Sequence, residues 1–160
     1  MQTYNVDFQV ADGSSAATAL FSGVKTKRFT IGYDYQIDNN DPNSAADATK
    51  LETILDWAQA AGKSTGFVTT GRVTEGSTAA LYGHSYNPST MECDSLQGQD
   101  QDLASQMING NPGKFTNVIM GGGYDAFVPA GEGMPNRPVR AIFSLWDLCD
   151  SFFLSVSLPA

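Results

Sequence analysis

Val10-Ala11-Asp12-Gly13-Ser14-Ser15-Ala16-Ala17-Thr18-Ala19 sets an acidic residue directly before a run of small side chains, and nothing large follows until Leu20 and Phe21. Such a run suits a tight strand-to-helix turn. Small side chains let backbone N–H groups approach a ligand, and a new helix N-terminus favours an anion. Ser14 and Ser15 are the expected N-caps of a short helix reaching Phe21 or Ser22, with Gly23 as its stop. These residues alone support two readings. One is a phosphate cradle with Ser14 or Ser15 as its hydroxyl. The other is a buried helix whose alanines pack closely on a neighbour.

On either side the pattern is that of an α/β protein. Residues 3–10 read as extended, with Val6, Phe8 and Val10 alternating with polar positions. Residues 29–33 (FTIGY) are strand-like, and the polar stretch 34–46 reads as a loop. Residues 44–61 are the expected long helix, capped by Ser44 or Asp47, with Leu51, Ile54, Leu55 and Ala58 on one stripe and Gly62 as its stop. Residues 64–70 follow as a buried strand, and helix, glycine, then apolar strand is the α/β signature. A short helix is expected from Ser77 to Tyr82, and a second one over residues 96–109 with Leu103, Met107 and Ile108 inward. Residues 115–120 (FTNVIM) read as a strand closed by Gly121-Gly122-Gly123. That turn lacks the G-x-G-x-x-G spacing of a nucleotide site.

The chain has 160 residues, 41% hydrophobic and 11% aromatic, enough for one domain with a core. A net charge of −8 disfavours nucleic acid and anionic membrane surfaces as partners. Cys93 and Cys149 are the two cysteines, and spacing does not decide whether they pair. His84 is the single histidine, which excludes a three-histidine zinc site and suits a hydrogen-bonded structural role. Met1 to Gln9 is polar and does not read as a signal peptide, and no run of about 18 apolar residues suggests a membrane span.

Five separated motifs between Thr3 and Gly123 resemble the alkaline phosphatases, in the family's order. The opening stretch with Gly23-Val24-Lys25 resembles the family's Val-x-Asp-Ser region and its following Gly-Val-Lys. Residues 66–84 (GFVTTGRVTEGSTAALYGH) resemble its Val-Thr-Thr-x-Arg-Val-x-His-Ala-[Ser/Thr] segment. His84-Ser85-Tyr86-Asn87-Pro88, Asp100 to Gln106, and Asn117 to Gly123 supply the other three. After Tyr124 the pattern is lost, which divides the chain into a partial family domain at 1–124 and a divergent tail at 125–160.

The resemblance implies a part of a three-layer sandwich, with a central, mostly parallel sheet flanked by helices. It implies hydrolysis of phosphate monoesters with zinc and magnesium. Family members are usually dimeric and extracellular or anchored at the cell surface. Carried across residue by residue, the nucleophilic Ser falls on Gly13, and Ser14 is the neighbouring substitute. The magnesium-site His falls on Glu75 and its Ser/Thr on Ser77. The Arg that clamps the substrate phosphate falls on Pro88. The family's zinc ligands have no counterpart in this chain. An inactive fragment or pseudoenzyme is therefore expected, the alternatives being a phosphomonoesterase that uses Ser14 or a non-catalytic interaction domain. A family sheet with strands missing also implies an exposed edge, hence poor solubility or oligomers.

Overall fold

A computed structural model of the chain describes residues 4–38, 41–86, 102–127 and 143–144. Its regular elements are helices α1 (Gly13–Ser22), α2 (Ile54–Ala60), α3 (Gly76–Ala79) and α4 (Leu103–Asn109), and strands β1 (Gly66–Arg72), β2 (Val118–Gly122) and β3 (Phe143–Ser144). β1 and β2 pair in parallel, Phe67 opposite Ile119, and β3 adds antiparallel to β2. Helices flanking a parallel pair make this an α/β fold, as the sequence predicts.

α1 runs to Ser22 and stops at Gly23, whose φ of 79° only glycine adopts without strain. Its cap, however, is Asp12 and not Ser14 or Ser15. The Asp12 carboxylate accepts from the N–H groups of both serines, and a carboxylate at a helix N-terminus also meets the positive end of the dipole.

The helix expected over residues 44–61 is much shorter. A 3-10 turn occupies Pro42–Ala46, and α2 begins only at Ile54. Two local interactions override the apolar stripe. Leu51 N–H donates to the Gly32 carbonyl at 2.8 Å, and Lys50 bridges to Tyr33. Thr53 and Asp56 then form a reciprocal capping box that starts the helix there. Its end is as read. Gly62 and Lys63 donate back to the carbonyls of Gln59 and Ala58, closing a Schellman motif with Gly62 left-handed at φ 68°.

Residues 4–10 form bends instead of a strand, with Val6, Phe8 and Val10 exposed. Among the described residues no strand pairs with them, and an alternating pattern without a ladder leaves its apolar side wet. Residues 29–33 contribute two isolated bridges, through Ile31 and Tyr33. β1 has its expected place but, among the described residues, lies at the edge of the sheet and alternates between exposed and half-buried positions. β2 starts later than its apolar run, because Phe115 lies in a 3-10 turn and Gly121 and Gly122 join the strand. α3 opens at Gly76, one residue before Ser77, and ends at Ala79. In α4, Leu103 and Met107 are buried as expected and Ile108 is not; residues 87–101 lie outside the described residues.

The core joins Ala17, Ile31, Leu55, Leu81, Leu103 and Ile119, with the Phe67 ring stacked on Tyr82 at 6.2 Å. This core carries α1 and α3 on the same side, and their contact positions the site.

Candidate functional site

The first turn of α1 is held from outside the helix. Asp12 Oδ1 accepts from Phe29 N–H at 3.1 Å, from Asn5 Nδ2 at 3.3 Å and from the Ser15 hydroxyl, while Oδ2 accepts from Ser14 N–H at 3.0 Å. Burial by itself would raise the Asp12 pKa, but donation by the Ser15 hydroxyl and the N–H groups of Phe29, Ser15 and Ser14 prevails and lowers it. Asp12 is thus an anion whose oxygens are already engaged.

The three residues after it face different ways. Gly13 is exposed, and a Cβ built on it meets only Ser77 Cβ, at 3.8 Å, an ordinary contact. A side chain at position 13 therefore fits. Ser14 turns its hydroxyl onto α3, where a Cβ on Gly76 would lie 2.0 Å from Ser14 Oγ. Ser15 is buried at 1% exposure, its hydroxyl turned inward to Asp12 and lying 2.9 Å from Asn5 Oδ1. Neither serine aims its hydroxyl out of the position that Gly13 holds.

The second segment reaches the same corner. Glu75 and Ser77 are both exposed at the start of α3. The Glu75 carboxylate folds back over the end of β1, where a Cβ on Gly71 would lie 3.0 Å from Oε2. Between them and β1 the buried Thr74 hydroxyl has no hydrogen-bond partner among the described residues. The structure thus brings Gly13, Ser14, Glu75 and Ser77 to one corner. Pro88 lies outside the described residues, as do Cys93 and Cys149.

His84 makes its contacts with Gln106, Leu51 and Tyr33. Its backbone is held on both sides by the Gln106 amide, Oε1 accepting from its N–H at 2.8 Å and Nε2 donating to its carbonyl at 2.9 Å. Its ring meets the Leu51 carbonyl at 3.2 Å and the edge of Tyr33. Burial is the main cause that lowers its pKa. These contacts fit the structural role expected for it.

Among the described residues no group of three or more His, Cys, Asp or Glu converges to hold a metal ion. Zinc needs nitrogen, sulfur or carboxylate ligands converging from several positions, so these residues do not fit zinc. Magnesium asks less of the protein, one or two carboxylates plus waters at oxygen sites, and Glu75 with Ser77 offers that chemistry. Three features of the corner escape sequence reasoning. Asn5 gives no signal as the partner of Asp12 and Ser15. Phe29 adopts φ 63°, and nothing in its type announces it. Gly76 marks a close approach that a glycine hints at without naming the partner.

Comparison with known proteins accords with the motifs. The alkaline phosphatase family model matches residues 1–141, beyond Tyr124. Alkaline phosphatase 4 of Drosophila melanogaster is 40% identical over 127 residues, 76% of this chain and 20% of that protein. The membrane-bound alkaline phosphatase of Bombyx mori is 36% identical over 135 residues, 80% of this chain and 24% of that one. The chain thus spans between a fifth and a quarter of these relatives. Among solved structures, a cold-active alkaline phosphatase from a Shewanella psychrophile aligns with TM-score 0.61 and 28% identity over 81% of this chain and 27% of its own. A histidine-to-glutamate variant of the TAB5 alkaline phosphatase, with magnesium bound, aligns with TM-score 0.61 and 26% identity over 79% of this chain and 30% of its own. In sequence and in fold, this chain belongs to the alkaline phosphatase family.

Proposed function

We propose that this chain carries the nucleophile corner of a phosphomonoesterase domain with its nucleophile removed. In this reading Gly13 holds the attacking position, Glu75 and Ser77 hold the magnesium-site positions, and Pro88 holds the position of the phosphate clamp. As given, the chain does not turn over phosphate esters. The carrying observation is the geometry at Gly13: an exposed first residue of α1 with room for a side chain and none present. Glycine offers no oxygen to attack phosphorus, and losing a covalent nucleophile removes most of the rate.

Ser14 is a poor substitute on the same geometry. One residue along a helix turns the side chain by roughly 100°, and the Ser14 hydroxyl is seated against Gly76. Support for magnesium at Glu75 comes from the chemistry of a carboxylate beside a hydroxyl. A TAB5 alkaline phosphatase variant with a histidine-to-glutamate exchange holds magnesium, which supports a carboxylate standing where the family pattern has histidine. The metal would supply a positive charge beside the bound ester. Zinc enters no step here. A membrane-bound relative supports an extracellular or cell-surface setting; among the described residues no helix is long and apolar enough to cross a membrane.

The test is direct. The purified chain is incubated with an aryl phosphate, zinc and magnesium at alkaline pH. The expected rate equals the buffer blank. Turnover that a chelator abolishes would overturn the reading.

A further inference from the structure

Asp12-Gly13 is the step at which this chain departs from the Asp-Ser of the family pattern. The departure removes a hydroxyl and introduces a different reactivity. A glycine amide after an aspartate is a poorly screened backbone nucleophile, because no side chain stands beside it and its backbone turns freely. Its nitrogen attacks the carboxyl carbon of the preceding side chain. The new N–Cγ bond closes a succinimide ring, and the carboxyl hydroxyl leaves as water with the amide proton. Water then opens the ring at one of two carbonyls. Opening at Cγ restores aspartate. Opening at the main-chain carbon leaves the glycine nitrogen joined to Cγ, an isoaspartate. One water is lost and one is taken up, so the net change is an isomerisation with water as its only co-reactant.

The fold holds this reaction in check. Asp12 is extended, at φ −87° and ψ 170°, and its carboxylate reaches past Gly13 to the N–H groups of Ser14 and Ser15 at 3.0 and 3.4 Å. Asn5 Nδ2, Phe29 N–H and the Ser15 hydroxyl fix the other oxygen. Donors on both oxygens keep the group ionised, and an ionised carboxylate has no hydroxyl to lose as water. The restraint comes partly from a weakly held segment. Asn5 is 5% exposed, yet residues 4–10 contribute nothing to the apolar core of the described residues. The segment is tied by Val6 N–H to the Thr26 carbonyl at 3.2 Å and by the Asp7 carboxylate to Arg28 N–H at 3.0 Å. Segments with few buried apolar contacts open locally, at less cost than global unfolding.

We propose that Asp12-Gly13 is a site of isoaspartate formation, and that Asn5, Ser15 and the Phe29 N–H form the latch that sets its rate. Opening of residues 4–10 withdraws Asn5, and the freed carboxyl takes a proton and turns toward the Gly13 nitrogen. The product does not restore the cap. An isoaspartyl link adds a carbon to the main chain and leaves the free carboxylate directly on Cα. The N–H groups of Ser14 and Ser15 then lose their acceptor, and each isomerised chain loses the start of α1. The proposal is independent of whether any ester is turned over at this corner.

The test ages the full chain in heavy-oxygen water at mildly acidic pH, folded in buffer and unfolded in urea. The tryptic peptide ending at Lys25 is then read by liquid chromatography and mass spectrometry. Heavy oxygen at residue 12 counts ring openings, and an isoaspartyl methyltransferase labels the isomer. The expected result is isoaspartate at residue 12 in the unfolded chain, forming about tenfold or more slowly in the folded one. Asn5→Ala should raise the folded rate several-fold, and Gly13→Ala, whose Cβ has room, should suppress the isomer in both states. A measurement on the native chain needs no variant: across low urea the isomerisation rate should rise in step with amide exchange of Ser14 and Ser15. Equal rates in the folded and unfolded chains overturn the proposal, as does an unfolded chain that forms no isomer at residue 12. So does a native rate that follows global unfolding alone.

Discussion

The Ser14 hydroxyl occupies the space that a side chain at position 76 would need: a Cβ on Gly76 would lie 2.0 Å from Ser14 Oγ and 3.0 Å from Ser14 Cβ. This approach lets α1 and α3 touch, and it also turns Ser14 away from the position beside it. Gly76→Ala should therefore cost about 1–3 kcal/mol through overpacking. Ser14→Gly, which removes both contacted atoms, should recover part of that loss in the double variant. A double-mutant cycle by urea denaturation reads the coupling; additive effects would mean the helices do not meet there.

Phe29 sits at φ 63°, a left-handed backbone that costs a side chain-bearing residue roughly 1–2 kcal/mol. Its N–H is aimed at Asp12 by that twist. Both Phe29→Gly and Phe29→Ala remove the ring and its contact with the Arg28 guanidinium. The glycine variant should nevertheless be the more stable by about 1 kcal/mol. Equal melting temperatures for the two variants would contradict the twist.

The start of α2 is tested by its cap. The Thr53 hydroxyl accepts from Leu55 N–H and donates to the Leu81 carbonyl at 2.7 Å, in a site 4% exposed. Thr53→Ala should cost about 1–2 kcal/mol. Asp47→Ala, at an exposed position, should stay within about 0.5 kcal/mol. The reverse order would restore the longer helix that the apolar stripe suggests.

Among the described residues, Asp12 and His84 set the pH dependence below neutral. Asp12 is held below its ordinary 3.8, so its contribution is present above that value and is lost as pH falls through the folded one. His84 is held below its ordinary 6.5, mainly by burial. The unfolded chain then takes up the proton first, so this contribution is complete above 6.5 and declines as pH falls below it. His84 is the single histidine. Denaturation midpoints should drop across that window in the native chain and not in His84→Gln.

Much of the fold is legible in the sequence, and the places where it is not share a cause. Gly23 and Gly62 end their helices as read, because a left-handed stop is a local matter of residue type. The stripe of Leu51, Ile54, Leu55 and Ala58 misleads, because Leu51 is taken by the Gly32 carbonyl, a partner distant in the chain. Residues 4–10 alternate like a strand, but a strand exists only where a neighbour pairs with it. At the site, Gly13 and its neighbours are legible through the motifs that surround them. The direction of Ser14 is not, since it is set by Gly76 in another element. Asn5 and Phe29 are equally silent, because their roles are fixed by contacts with Asp12.

In the proposed function the attacking position is Gly13, and Ser14 does not replace it. The most direct measurement incubates the chain with an aryl phosphate and metals, quenches in acid, and reads the peptide holding residues 11–25 by mass spectrometry. The expected result is an unmodified peptide. A phosphoryl group on Ser14 would contradict it.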